Sequence, residues 1–106
     1  MGKRENKVEG YLEEQVKLHH QGTTRKWKSA NHTGVMDRIV FVNPEWFVEV
    51  KTVDGTQSAQ QQREAMKLIH HGARCAIVYG HTGVDKFVEW LKENKNTQPK
   101  VQVIFK

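Results

Sequence analysis

The chain has 106 residues, room for one hydrophobic core and little more, and its 17 Lys and Arg against 12 Asp and Glu give a formal charge of +5 that attracts polyanions. No run of apolar residues approaches the roughly 18 of a membrane span, and the first residues lack the apolar centre of a signal peptide. The single cysteine, Cys75, has no partner for an intramolecular disulfide or a thiolate metal site, so the expectation is one domain over residues 1–106 in a reducing cytoplasm, with no membrane partner.

From about Glu5 to His20, Val8, Tyr11, Leu12 and Val16 recur at three- and four-residue steps, which predicts a helix with one buried stripe. Gly22 ends it. Thr23 to Lys28 reads as a short strand, and Ser29 to Gly34 as an exposed polar loop that contains an Asn31-His32-Thr33 triplet without meaning outside secretion. Arg38–Val42 and Trp46–Lys51, separated by Asn43-Pro44-Glu45, predict an antiparallel hairpin. After Asp54-Gly55, Ser58 caps a helix to about His71, with Ala65, Met66, Leu68 and Ile69 toward the core and Gly72 at its end. A strand over residues 74–79 follows, then a turn bracketed by Gly80 and Gly83. Val84, Phe87, Val88 and Leu91 mark a third helix; a lysine-rich loop over residues 92–100 leads to a last strand at Lys100–Phe105. The order is αβββαβαβ, an α/β fold.

Chemistry enters at the second hairpin strand. Glu49 and Lys51 lie two residues apart in an otherwise apolar run, so both leave the same face of the sheet. Unpaired charge in such a strand is costly and calls for a partner, solvent or a metal ion. A wet edge strand or a simple lysine–carboxylate pair would also satisfy it. Asp37 adds a second carboxylate where the first hairpin strand begins. For Asp37 to share the face of Glu49 and Lys51, the register must keep parity, as in Phe41 opposite Phe47, which pairs Ile39 with Glu49 and Asp37 with Lys51. The same parity gathers Val40, Val42, Val48 and Val50 on the reverse face. Two carboxylates and a backbone carbonyl, that of Val50, are hard ligands suited to Mg²⁺ or Mn²⁺. Such a site can activate a phosphodiester for hydrolysis, with Lys51 orienting or deprotonating the attacking water.

These residues resemble a known family. Gly34-Val35-Met36-Asp37-Arg38 resembles the G-x-P-D-R segment, and Phe47–Lys51 the strand ending in E-x-K, of the VRR-NUC family in the PD-(D/E)XK nuclease superfamily. Met36 stands where the family usually has proline, a departure in loop shape rather than in ligands. Gln61 resembles the glutamine that opens the family's next helix, and Gly72 follows Leu68 at the family's distance. Glu5 and Glu9 match two glutamates of its first helix. The resemblance runs from about Glu5 to Leu91 and is similar in extent to stand-alone phage and bacterial members. It implies a restriction-endonuclease-like mixed sheet flanked by helices and a divalent-metal-dependent DNA endonuclease in a bacterial or phage-infected cell. Asp37, Glu49, Lys51 and Gln61 would be catalytic, with Glu5 or Glu9 supporting the metal. It further implies a homodimer that resolves four-way junctions, since paired cuts need two sites related by a twofold axis.

Arg25, Lys26 and Lys28, interleaved with Trp27, read either as a phosphate-contacting strip or as solvated lysines around a core tryptophan, and Arg38 joins them as a candidate DNA contact. Lys3, Arg4 and Lys7 pose the same choice. The histidine pairs His19-His20 and His70-His71 point apart on their helices and give no zinc site. Flaps, nicked or ordinary duplex DNA are alternative substrates, and a non-catalytic nucleic-acid-binding module is the third reading.

Overall fold

The structure, a computed structural model, describes residues 3–28 and 36–106. The loop expected at Ser29–Gly34, its Asn31-His32-Thr33 triplet, and Val35 lie outside the described residues. The elements are α1 (Lys3–His20), β1 (Thr23–Lys26), β2 (Arg38–Phe41), β3 (Glu45–Lys51), α2 (Ala59–His70), β4 (Cys75–Tyr79), α3 (Gly80–Asn94) and β5 (Val103–Phe105), in the expected order. Among the described residues, five strands form one mixed sheet in the order β1-β2-β3-β4-β5. The β1–β2 and β2–β3 pairs are antiparallel, and the β3–β4 and β4–β5 pairs are parallel.

Alternation in β2 and β3 divides the sheet into two unlike faces. Val40, Trp46, Val48 and Val50 are fully buried and pack with Val8, Leu12 and Val16 of α1 and Val84, Phe87, Val88 and Leu91 of α3. Helices α1 and α3 therefore cover one face, held by apolar area removed from water. Helix α2 buries Ala65 and Ile69, and the Cys75 thiol lies 4.0 Å from the Ala65 carbonyl oxygen. Burial pushes that thiol up to about 12, which keeps it protonated and inert.

Several expectations need correction. The hairpin register is Ile39 opposite Phe47 and Phe41 opposite Glu45, two residues from the expected pairing. Parity survives, so every side chain keeps its face; the turn lies one residue earlier, over residues 42–44, and sets Trp46 against Val40 on the core side. Met66 is 45% exposed instead of buried, because the stripe of α2 facing the sheet is centred on Ala65 and Ile69. Residues 80–83 form the first turn of α3, which continues to Asn94, beyond the expected boundary. Gly83 is required there: a Cβ would collide with the backbone carbonyl of Phe105 and lie 3.3 Å from the carbonyl carbon of Val78, so the helix crosses the sheet at backbone contact. The first and last strands are shorter than expected, ending at Lys26 and starting at Val103.

Candidate active site

Glu49 and Lys51 leave β3 on the face opposite the valine layer. Lys51 Nζ lies 3.3 Å from Glu49 Oε2, with the glutamate side chain 1% exposed and the lysine 15%. The start of α2 reaches the same oxygen. Ser58 Oγ accepts from the Gln61 N–H at 3.1 Å, and the Ser58 N–H donates to Gln61 Oε1 at 3.0 Å, a reciprocal capping box. The other end of the same amide, Gln61 Nε2, donates to Glu49 Oε2 at 2.6 Å. Gln61 is thus a positioning residue with both ends committed: one to the helix start, one to the carboxylate.

Asp37 sits immediately before β2, where the β2–β3 ladder stops. Its N–H donates to the Val48 carbonyl at 3.1 Å. Its side-chain Oδ2 accepts the next available donor of β3, the Val50 N–H, at 2.7 Å. In a strand, a residue's N–H and C=O point to the same neighbour, so the Val50 carbonyl faces this edge as well. These two bonds fall on the residues either side of Glu49, so Asp37 meets β3 beside Glu49, where the expected pairing had Lys51. The shifted register therefore brings the two carboxylates together.

Electrostatics reports the crowding. Burial, then the charge of Asp37, raises Glu49 to about 7 against the opposing pull of Lys51. Asp37 is raised too, first by burial and then by the charges of Glu9 and Glu5, although the Val50 N–H and Lys51 favour its ionised form. Among the described residues, no donor reaches the buried Glu49 Oε1. A buried acceptor with no donor, beside a second carboxylate and a backbone carbonyl, is a donor set that a hard divalent cation satisfies. No group of three His, Cys, Asp or Glu side chains among the described residues forms a ready cage, so such a cation would rest on Asp37, Glu49 and the Val50 carbonyl, with water completing its shell.

The remaining site expectations divide. Glu9 is 1% exposed, and its Oε1 takes Arg38 Nε at 2.7 Å and Lys26 Nζ at 3.5 Å. Arg38 also donates to Thr24 Oγ1 at 3.4 Å. Arg38, expected at the DNA, is 18% exposed and gives its guanidinium to Glu9, because a buried carboxylate on α1 needs a cation. Glu9 is correspondingly engaged on one oxygen, while its Oε2 is buried without a donor among the described residues. Glu5 is partly buried, and its charge acts on both Asp37 and Glu49. Arg25 and Lys28 are exposed; Arg25 donates to Thr23 Oγ1 and the Thr24 carbonyl, both at 2.8 Å. Trp27 packs on Phe47 with ring centroids 5.3 Å apart, on the face that carries Glu49. The ion cluster of Glu9, Arg38 and Lys26 was missed by sequence reasoning. Its signal was a glutamate between Val8 and Leu12, on the apolar side of α1.

Because one amide serves both the cap and the carboxylate, Ser58→Ala is expected to cost ~1 kcal/mol of stability. Gln61→Ala should in addition weaken divalent-cation binding about 10-fold or more, by loosening Glu49. Isothermal titration with Mn²⁺, alongside chemical denaturation of both variants, separates these effects. Equal losses in the two variants would show that the cap alone matters.

No family model matches the sequence, and no curated protein does. A solved structure described as a "VRR_NUC domain" superposes with a TM-score of 0.74 at 28% sequence identity, covering 83% of this chain and 97% of that one. The chain therefore has the mixed-sheet α/β fold of a VRR_NUC domain, and the resemblance drawn from its residues extends to its backbone.

Proposed function

We propose that this chain, built on the VRR_NUC nuclease fold, is a divalent-metal-dependent endonuclease that hydrolyses phosphodiester bonds in DNA. The observation that carries the reading is the unpartnered, buried Glu49 Oε1 beside Asp37 at the end of the β2–β3 ladder. Mg²⁺ or Mn²⁺ bound there would polarise the phosphodiester and offset charge building on its oxygens. The protein's own residues supply the rest. Asp37 and Glu49, with the Val50 carbonyl, would hold the cation, and Gln61 fixes Glu49. Lys51, held in place by Glu49 and only 15% exposed, presents its ammonium to the phosphate oxygens and orients the attacking water. The +5 charge supports a polyanionic substrate, and among the described residues no helix is long and apolar enough to cross a membrane.

The proposed substrate is a four-way junction cut by a homodimer, whose twofold axis would place two sites in the relation that paired incisions need. Flaps, nicked and ordinary duplex DNA are the alternatives, since the site residues address phosphate rather than bases. Cleavage of a panel of junction, flap, single-stranded and duplex DNAs, with Mg²⁺, Mn²⁺ or chelator, tests the reading together with the mass of the protein in solution. Metal-stimulated cleavage led by the junction, from a dimer, is the expected result. Binding without cleavage under every condition would leave only a DNA-binding module. Lys51→Ala should lower the rate at saturating DNA by ~100- to 1000-fold and change DNA affinity by no more than ~3-fold, because its action is on the transition state. A wild-type rate in that variant removes Lys51 from the mechanism.

A further inference from the structure

An open cavity of about 310 Å³ lies where β3 ends, lined by Arg4, Lys7 and Val8 of α1, by Thr52 and Val53, and by His81 at the start of α3. Thr52 follows Lys51 directly, and Lys51 pairs with Tyr79, the residue before α3. The cavity therefore opens at the carboxyl ends of the parallel strands β3 and β4, the side on which open α/β sheets take ligands. Helix α1 links it to the active site: Glu5 acts electrostatically on Asp37 and Glu49, while Arg4 and Lys7, three residues apart and hence on one face, line the cavity.

Its walls combine cations with apolar surface. Val8 is buried behind it and Val53 is 74% exposed at its lip. The His81 ring is held by stacking on Tyr11 at a centroid distance of 4.3 Å. Two carboxylates lie nearby. Asp85 accepts the Tyr11 hydroxyl at 2.6 Å, and Asp54 meets Arg4 at 3.5 Å in a pair whose side chains are 73% and 71% exposed. Such an exposed pair holds Arg4 weakly and yields to a phosphodiester. The size falls at the lower end of small-ligand sites, roughly 300 Å³ upward, which suits one nucleotide.

We propose that this cavity seats the nucleotide of the substrate strand adjoining the scissile phosphate, with Arg4 and Lys7 on its phosphate and its deoxyribose against Val8 and Val53. The inference rests on the nuclease reading and adds to it where the strand runs. The test is binding in chelator, by fluorescence anisotropy, of DNA duplexes and junctions carrying one neutral methylphosphonate at successive positions. Wild type should lose ~10-fold in affinity at one position, and the Arg4→Ala/Lys7→Ala variant should bind ~10-fold more weakly overall, be indifferent to that position, and show a salt slope smaller by about two. Lys17→Ala/Lys92→Ala, which removes the same charge from exposed positions beyond the cavity, should remain sensitive to that position. Val53→Glu, at an exposed position, should copy the Arg4/Lys7 variant if that variant folds poorly. Undiminished positional sensitivity in both cavity variants, or losses no larger than those of Lys17→Ala/Lys92→Ala, overturn the cavity. Wild-type cleavage with metal, assayed separately, decides the nuclease reading: cleavage without the coupling sinks the cavity alone, and coupling without cleavage sinks the nuclease alone.

Discussion

Glu49→Gln is expected to reduce DNA cleavage by ~1000-fold or more while making the metal-free protein more heat-stable at pH 8. The side chain is 1% exposed, and its ionisation is opposed by burial and by Asp37, which lifts its pKa from 4.5 to about 7. A carboxyl group whose folded pKa is raised contributes its full stability below the unfolded value and loses it as the pH climbs through the folded one. Metal-free wild type should therefore lose stability between about pH 4.5 and pH 7.5, by on the order of 3 kcal/mol. Asp37, also raised, acts in the same direction. Glutamine keeps an acceptor for the Gln61 amide and carries no charge, so its stability should vary much less across that window. A divalent cation reverses the sign for the wild type by favouring the ionised pair: Mg²⁺ should raise its melting temperature more at pH 8 than at pH 5, and hardly raise that of the variant. Melting curves in chelator and in Mg²⁺ at several pH values decide the matter. Parallel pH profiles for the two proteins would mean that Glu49 is not the strained group.

The second large effect concerns the core behind the site. Trp46→Ala is expected to cost ~3–5 kcal/mol, enough to leave a domain of this size near its unfolding threshold. Trp46 is fully buried, stands edge-on to Phe87 and Trp90 at centroid distances of 6.0 and 5.3 Å, and donates its indole N–H to the Lys95 carbonyl at 3.0 Å. Truncation opens a cavity under β3 and strands that carbonyl at the end of α3. Trp46→Phe retains most of the volume and forfeits chiefly the hydrogen bond, for about 1–2 kcal/mol. Urea denaturation of both, with cleavage assayed below the unfolding transition, should show stability lost and chemistry kept in Trp46→Phe. A loss under ~1.5 kcal/mol in Trp46→Ala would contradict this account of the core.

The two faces of the hairpin were legible because side-chain alternation has a period of two, which places Glu49 and Lys51 together and the valines behind them whatever the length of the turn. The register was not, since alternation is indifferent to a shift of two residues; only the turn decides whether Asp37 meets β3 at Lys51 or beside Glu49. Helix α2 was announced by Ser58 and Gln61, yet nothing local says that the glutamine's free end meets a residue 12 positions earlier. The pairing of Arg38 with Glu9 was hidden for a similar reason: the two are 29 residues apart, and Glu9 lies on a helix whose approach to the sheet no local pattern encodes. Gly80 and Gly83 read as a turn because glycine disfavours helix, whereas the close passage of α3 over Phe105 demands Gly83, and a positive φ against Val53 demands Gly80.

The double duty of Gln61 couples two processes that are usually independent. Unwinding the first turn of α2 would release the grip on Glu49, and immobilising Glu49 would hold that turn closed. Occupancy of the active site should therefore be felt as slower hydrogen exchange at the backbone amides that open α2, where solvent, not substrate, is the probe.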